Sequence, residues 1–218
     1  VSDAAAPTDG ARSIAIQQRS HSAPARRIIY RERDLHDTIP IVCGGWAASV
    51  VTLSDSRRQI LSFLLPGDIV STTLLFEPRS YCLIEAVTDV RYRTFARAEL
   101  KAILLDRPEL FDKFAKTWVE EKVRADQLIV DLGRRAADER IAQLILRLRD
   151  RLEQRGMADS QTMEFPLRQH HIADATGLTS VHISKVLSEF RRNGLIEITD
   201  RSLTILDLER FRRIAHMR

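Results

Sequence analysis

Cysteine is nearly missing from this chain: Cys43 and Cys82 are the only two among 218 residues. Two thiols do not make a disulfide framework, so the fold must rest on packing. No apolar run approaches the length of a membrane span, which argues against a helical membrane protein. The N-terminus lacks the apolar stretch of a secretory signal, and a cytoplasmic setting is the expectation. Enzyme signatures are missing as well: no nucleophile–base pairing, no HExxH, no glycine loop that would cradle phosphate. His170-His171 are neighbours on a predicted helix and do not converge on one ion, so neither a metal site nor an enzyme is expected. Charge of one sign is not dominant. The net +4 favours a polyanionic partner only weakly, and the C-terminal third is no more basic than the rest.

What is present is ordinary globular material, 44% hydrophobic and 29% charged, long enough for one large or two small cores. The informative stretch is residues 169–188, QHHIADATGLTSVHISKVLS. Its spacing is that of a helix-turn-helix. Ala173 is small where two helices must approach. Gly177 stands where the chain must turn with positive φ. Thr179 suits an N-cap. Ile183, Val186, Leu187 and Phe190 recur at i, i+3, i+4 and i+7 and predict one buried stripe. Val181, Ser184, Lys185 and Ser188 then lie opposite, on a small, polar, singly basic face suited to the major groove. Gly194 ends the helix. Residues 195–199 and 202–206 read as two strands about Asp200-Arg201, the wing of a winged helix. An ordinary helical hairpin inside a core is the competing reading.

In chain order, residues 1–26 read as a mobile tail rich in Ala, Ser and Pro, with a helical piece open at 14–18. Residues 27–107 read as an antiparallel β-roll. Segments 27–30, 39–43, 46–53 and 58–65 are β-rich, and 81–87 with 90–95 form a further pair about Thr88-Asp89. Helical pattern follows from Phe95. A long helix is predicted from Pro108 to Leu132. Phe111, Trp118, Ala125 and Leu132 recur every seven residues, and Phe114 and Leu128, with Ala115 and Ile129, fill a second seam, interrupted by Glu121 and Lys122. This predicts a dimer helix over 108–134, with Gly133 as hinge; a helix packed on its own β-domain is the alternative. Residues 135–218 complete the chain, with an amphipathic helix over 137–155, a loop at 156–160, the winged helix-turn-helix and a short basic helix. The fold class is α+β: a jelly-roll-like antiparallel β-roll (double-stranded β-helix), a long helix, and a winged helix-turn-helix.

The stretches GWAASVVTLSDSRRQILSFLLPGD (45–68), LGRRAADERIAQLILRLRDRL (132–152) and FPLRQHHIADATGLTSVHISKVLSEFRRNGLIEI (165–198), in that order, resemble the Crp/Fnr family of bacterial transcription regulators. The resemblance implies a homodimer that binds a palindromic operator in double-stranded DNA and contacts RNA polymerase. It implies that Ser180, Val181, Ser184 and Lys185 read bases. Many members carry Glu where Val181 stands and Arg where Lys185 stands. Valine cannot accept from a cytosine amino group but packs on a thymine methyl, and lysine lacks the arginine fork, so a different half-site is expected. Arg168, Gln169, His170, Thr179, His182, Ser188 and Arg201 are the backbone-contact candidates. The histidines and Arg201 read equally well as solvated side chains.

The sensor half departs from the family's patterns. Cyclic-nucleotide-binding members have Gly-Glu after the PGD turn and an Arg-Ser pair beyond it. Here Pro66-Gly67-Asp68 is followed by IVSTTLLFEPRSY, with Arg79-Ser80 displaced and no Gly-Glu. Arg79 and Ser80 are therefore the candidate effector pocket on half a motif. Two cysteines cannot supply a four-cysteine iron–sulfur site, and they read better as small buried side chains on strands. No cofactor is expected; cyclic nucleotide and haem stay open as ligands. A small-molecule effector stays open too, as does a sensor acting mainly through protein contacts.

Overall fold

The computed structural model describes residues 18–159 and 161–216. Its first part is a double antiparallel sheet. Strands β1 (Gln18–Ala23), β7 (Val90–Ala96) and β3 (Thr38–Gly44) pair in the order β1-β7-β3. Strands β2 (Ile28–Tyr30), β6 (Leu83–Ala86), β4 (Ala47–Thr52) and β5 (Arg58–Leu64) pair in the order β2-β6-β4-β5. Ile39, Val42, Ala47, Leu64, Ile84, Ala86 and Val90 form the core between the sheets.

Two expectations fail here. Gln18–Ala23 belongs to the roll rather than to a mobile tail, because β1 pairs residue for residue with β7 from Gln18↔Phe95 to Ala23↔Val90. That strand is polar and mostly exposed, so its hydrophobic pattern is silent. Residues 1–17, with most of the 14–18 piece, lie outside the described residues, and residues 24–26 form the turn after β1. Nor do the strands flanking Thr88-Asp89 pair with each other. The chain changes sheets there, and again between β3 and β4. The two corners interlock: Trp46 N–H donates to Thr88 Oγ1 at 2.9 Å, and Val87 N–H donates to the Trp46 carbonyl at 2.8 Å. Gly45 has φ +75°, and a Cβ there would sit 2.0 Å from the Asp89 carbonyl oxygen, so only glycine fits.

Helix α1 (Arg97–Asp106) follows, then α2 (Pro108–Arg134), which Pro108 opens at the first turn where its missing N–H costs nothing. Gly133 lies inside α2. The break is at Arg135 and Ala136, both extended, before α3 (Ala137–Glu153). Glu139 accepts from Ala136 N–H at 2.9 Å and starts the new helix.

The second part packs α3, α4 (Gln169–Thr176), α5 (Ser180–Arg192) and α6 (Leu208–His216) with a small sheet ordered β8-β10-β9: β8 (Thr162–Glu164), β9 (Ile196–Thr199) and β10 (Ser202–Ile205). Its core is continuous with the outer face of β4 and β5. Trp46, Ala48, Val50, Ile60, Phe63 and Leu65 share a cluster with Ile141, Ile145, Leu148, Ile172 and Phe190. Successive strand residues therefore serve two cores, Ala47 inward and Ala48 outward. A polar latch reinforces this docking. Buried Asp68, in the PGD turn, accepts from Arg151 and Arg155 at 2.5 Å each and from Leu65 N–H at 2.7 Å.

Candidate nucleic-acid interface

Helix α4 begins at Arg168, whose N–H donates to Nδ1 of His171 at 3.1 Å. A histidine thus fills the place where a capping box usually has Glu or Gln. Burial first, then the positive neighbours His170, Arg168, Arg58 and Arg26, lower the His171 pKa to about 4, so the ring is neutral and its nitrogen free to accept. His170 is exposed and lies against the His171 ring, centroids 4.0 Å apart. Ala173 is buried, and its carbonyl accepts from Leu178 N–H at 3.2 Å. Gly177 makes the turn with φ +67°, and Leu132 of α2 packs so closely that a Cβ would meet it at 3.1 Å.

Thr179 caps α5, accepting from His182 N–H at 3.3 Å. Ile183, Val186, Leu187 and Phe190 are buried as their spacing requires, with Phe190 edge-on to Phe211 at 5.2 Å. Ser180, Val181, His182, Ser184, Lys185 and Ser188 are all exposed. Val181 is 79% exposed, a branched apolar side chain that no described residue covers. Gly194, φ +64°, follows the end of α5.

The wing turns at Asp200 (φ +44°) and Arg201 (φ +71°). Two consecutive positive φ values fit a two-residue hairpin, here without glycine. Strand β8, absent from the sequence reading, pairs with β10 and extends the wing to three strands. Arg201 lies 3.5 Å from Glu164, both well exposed, so the pair is weak and the guanidinium remains open to a stronger anion. Arg168 and Gln169 are exposed at the start of α4.

The chain matches two family models: a Crp-like helix-turn-helix domain over residues 139–214 and a cyclic nucleotide-binding domain over residues 20–107. It is 31% identical over 188 residues to the nitrogen fixation regulation protein FixK of Bradyrhizobium diazoefficiens, covering 86% of this chain and 78% of that one. It is 30% identical to FixK of Rhizobium meliloti, covering 97% of this chain and 91% of that protein. Among solved structures, FixK2 from Bradyrhizobium japonicum superposes with a TM-score of 0.83 at 26% identity, over 93% of this chain and all of that one.

The chain belongs to the Crp/Fnr family. It is a DNA-binding transcription regulator, and α5 is its recognition helix.

In this Crp/Fnr regulator the six seam residues of α2 divide. Phe111, Trp118 and Ala125 are exposed, beside exposed Val119, Val123, Ile129 and Val130. Phe114 is buried in the roll's own core, near-perpendicular to Phe76 at 6.4 Å, and Leu132 packs under Gly177. Leu128 is half-buried facing cavities within the chain. Phe114, Leu128 and Leu132 therefore serve the chain itself, because one helix must satisfy both the roll and whatever lies outside. Glu121 and Lys122, which interrupted the heptads, have local partners. Glu121 accepts from the Thr72 hydroxyl at 2.6 Å, and Lys122 pairs with Asp126 at 2.5 Å.

Arg79 and Ser80, the candidate effector residues, stand apart from the cavities found among the described residues. Arg79 is exposed, its N–H bonded to Glu77, and Ser80 is buried, donating to the Cys82 carbonyl at 2.6 Å. Neither lines any of the cavities described among these residues, because the turn spends Ser80 on backbone and aims Arg79 outward. The cavity between the roll and α2, about 380 Å³, is lined by Ser49, Ser62, Leu64, Cys82, Glu121 and Arg124. Burial raises the Glu121 pKa, with Thr72 and Arg124 opposing. Cys82 lies just before β6, half-buried and 2.8 Å from Ser49 Oγ. Cys43 is on β3 but exposed, not a buried small side chain. Among the described residues no group of three or more metal-ligating side chains comes together, and no helix is long and apolar enough to cross a membrane.

Proposed function

We propose that this regulator acts as a cytoplasmic homodimer that reads a palindromic operator through paired α5 helices and passes the result to RNA polymerase. The observation that carries this reading is the outward face of α5, small polar groups with His182, Lys185 and one bare valine among them. Ser180, Val181, Ser184 and Lys185 are the base readers. Val181 meets a thymine methyl and Lys185 a guanine acceptor. Arg168, Gln169, His170, Thr179, His182, Ser188 and Arg201 hold the phosphate backbone. Regulators of this family bind DNA as dimers, and the apolar strip Phe111–Trp118–Ala125 offers α2 as the seam.

The effector enters the cavity between roll and α2. Glu121 and Arg124 there suit a ligand carrying both a donor and an anionic or carbonyl group. Without the Gly-Glu pair and with Arg79 outside, the cyclic-nucleotide pattern is not assembled.

Selection of bound duplexes from a random pool tests the proposal. The expected product is an inverted repeat with half-site centres about one helical turn, ~34 Å, apart. Affinity should fall steeply with salt as phosphate contacts release counter-ions. A flat salt response, or no enrichment of any repeat, would point instead to a sensor working through protein contacts.

A further inference from the structure

A cleft of about 390 Å³ opens where the outer face of β5, the second half of α2, α3 and the end of α4 meet. It is distinct from the cavity between the roll and α2, although Leu61, Ser62, Arg124 and Leu128 border both. Its size suits a small organic molecule, and junctions between domains are common places for one. One wall is apolar, built from Leu61, Phe63, Val119, Val123, Leu144 and Leu148.

The other wall is cationic: Arg124, Arg140, Arg147, Arg151 and Arg155 line it. These guanidiniums outnumber the carboxylates that hold them. Asp68 is shared by Arg151 and Arg155. Asp131 is shared by Arg147 and Arg135. Arg140 spends its donors on the carbonyl oxygens of Arg135 and Thr176. Glu120 and Asp150, also on the wall, are engaged by Arg124 at 3.6 Å and Arg149 at 2.9 Å. The crowding reaches Arg151, whose pKa is lowered to about 10, by burial first; Asp68 opposes this and the charges of Arg124 and Arg155 add to it. An excess of partly buried cations attracts a counter-ion more strongly than the same charges would in water.

We propose that this interdomain cleft binds a small amphiphilic anion, its apolar body against Val119, Val123 and Leu144 and its acidic head among Arg124, Arg140 and Arg147. The sensor sheet, α2 and the helix-turn-helix each supply a wall. A ligand that fits all three favours the docked position of the DNA-binding domain over any other. The cleft is thus a second regulatory input, distinct from the cavity between the roll and α2.

The test uses the full chain with anilinonaphthalene sulfonate as probe, followed by fluorescence. Binding is expected to saturate at one probe per chain. The same ring system without its sulfonate, phenylnaphthylamine, should bind at least tenfold more weakly, and inorganic phosphate should not compete. Val123→Glu, which adds a repelling charge, and Val123→Trp, which fills the space, should each weaken the probe at least tenfold. Val123 is 47% exposed on a long helix, so both variants should keep the native circular dichroism. Ser49→Leu, which fills only the roll cavity, should leave probe binding unchanged. Equal binding of the uncharged dye would overturn the proposal by showing an apolar patch alone. Loss of binding in Ser49→Leu would overturn it by placing the probe in the roll. Dissociation of the oligomer by Val123→Glu would overturn it by assigning this face to a second copy.

Discussion

Helices α2 and α5 each present a face that no described residue covers, and the two faces differ in kind. On α5 the uncovered residues are Ser180, His182, Ser184, Lys185 and Ser188, with Val181 alone apolar. On α2 they include Phe111, Trp118 and Ile129, on a side apart from the Val119 and Val123 that border the interdomain cleft. Small polar groups rest comfortably in water and exchange it for base edges. A strip of large apolar groups does not rest in water; it asks for a dry partner, and burying the exposed part of each such side chain would contribute about 1 kcal/mol. On the proposed reading, the same helical period points to two different partners, a duplex for α5 and a second copy for α2.

The largest expected effect tests the α2 side. Trp118→Glu puts a charge in the middle of the apolar strip. Sedimentation should show a monomer at micromolar concentration, and operator affinity should fall at least about a hundredfold as the two half-sites lose their linkage. Trp118 also lies against Phe76 of its own roll, centroids 5.7 Å apart, so circular dichroism must first show the fold intact. A folded Trp118→Glu dimer with full affinity would break the contrast between the helices.

Next comes the α5 side. Lys185→Ala should weaken the operator by about 1–3 kcal/mol, roughly five- to 150-fold, and relax preference at one base pair of each half-site, while sedimentation stays that of the parent. A uniform loss across all sequences would make Lys185 a phosphate contact instead. Val181→Glu is the smaller and more pointed change. A carboxylate there accepts from cytosine, so the preferred base should move from thymine towards cytosine, worth about 1 kcal/mol of discrimination, when selection is repeated with the variant.

How much of this was legible beforehand differs along the chain. The helix-turn-helix was readable to the residue because each position answers a local demand: a cap at Thr179, a positive φ at Gly177, a stripe at period 3.6 in α5. Strand β1 was not, since its exposed QRSHSA carries no alternation and is held by its backbone pairing to β7. The heptads of α2 identified an apolar helix but could not divide its residues among three neighbours. Phe114 went to the roll and Leu132 to the turn of the DNA-binding domain, both through long-range contacts that no local pattern records. A signal was nevertheless present at Glu121, an acid in the middle of an apolar seam, which marks the side facing Thr72 and the sensor cavity. Arg151 near the end of α3 and Arg155 just beyond it likewise needed Asp68 to be seen as a latch.

Acid sharpens the comparison further, because it should act with opposite sign on the two regions. His171 behind α5 has a pKa of about 4 in the fold against 6.5 when unfolded. The unfolded chain therefore binds this proton more readily, and the contribution of the neutral ring is whole above pH 6.5, is lost as pH falls, and is gone below about 4. By pH 5.5 the loss should be about 1 kcal/mol. Protonation also removes the acceptor for Arg168 N–H, so the start of α4 should loosen. Glu121 on α2 has its pKa raised by burial, so protonation relieves a cost and the α2 side gains as pH falls. Asp174 on α4, raised by burial and opposed by Arg58, also gains in acid and offsets part of the His171 effect. His171→Gln isolates it: Gln still accepts from the N-cap but does not titrate. Hydrogen exchange at pH 5.5 and 7 should show α4 and α5 less protected in acid in the parent and no less protected in His171→Gln, where the Asp174 gain remains, with α2 no less protected in either. Equal acid sensitivity in the variant would place the titrating group elsewhere and remove His171 as the reason the recognition helix and the seam helix respond differently.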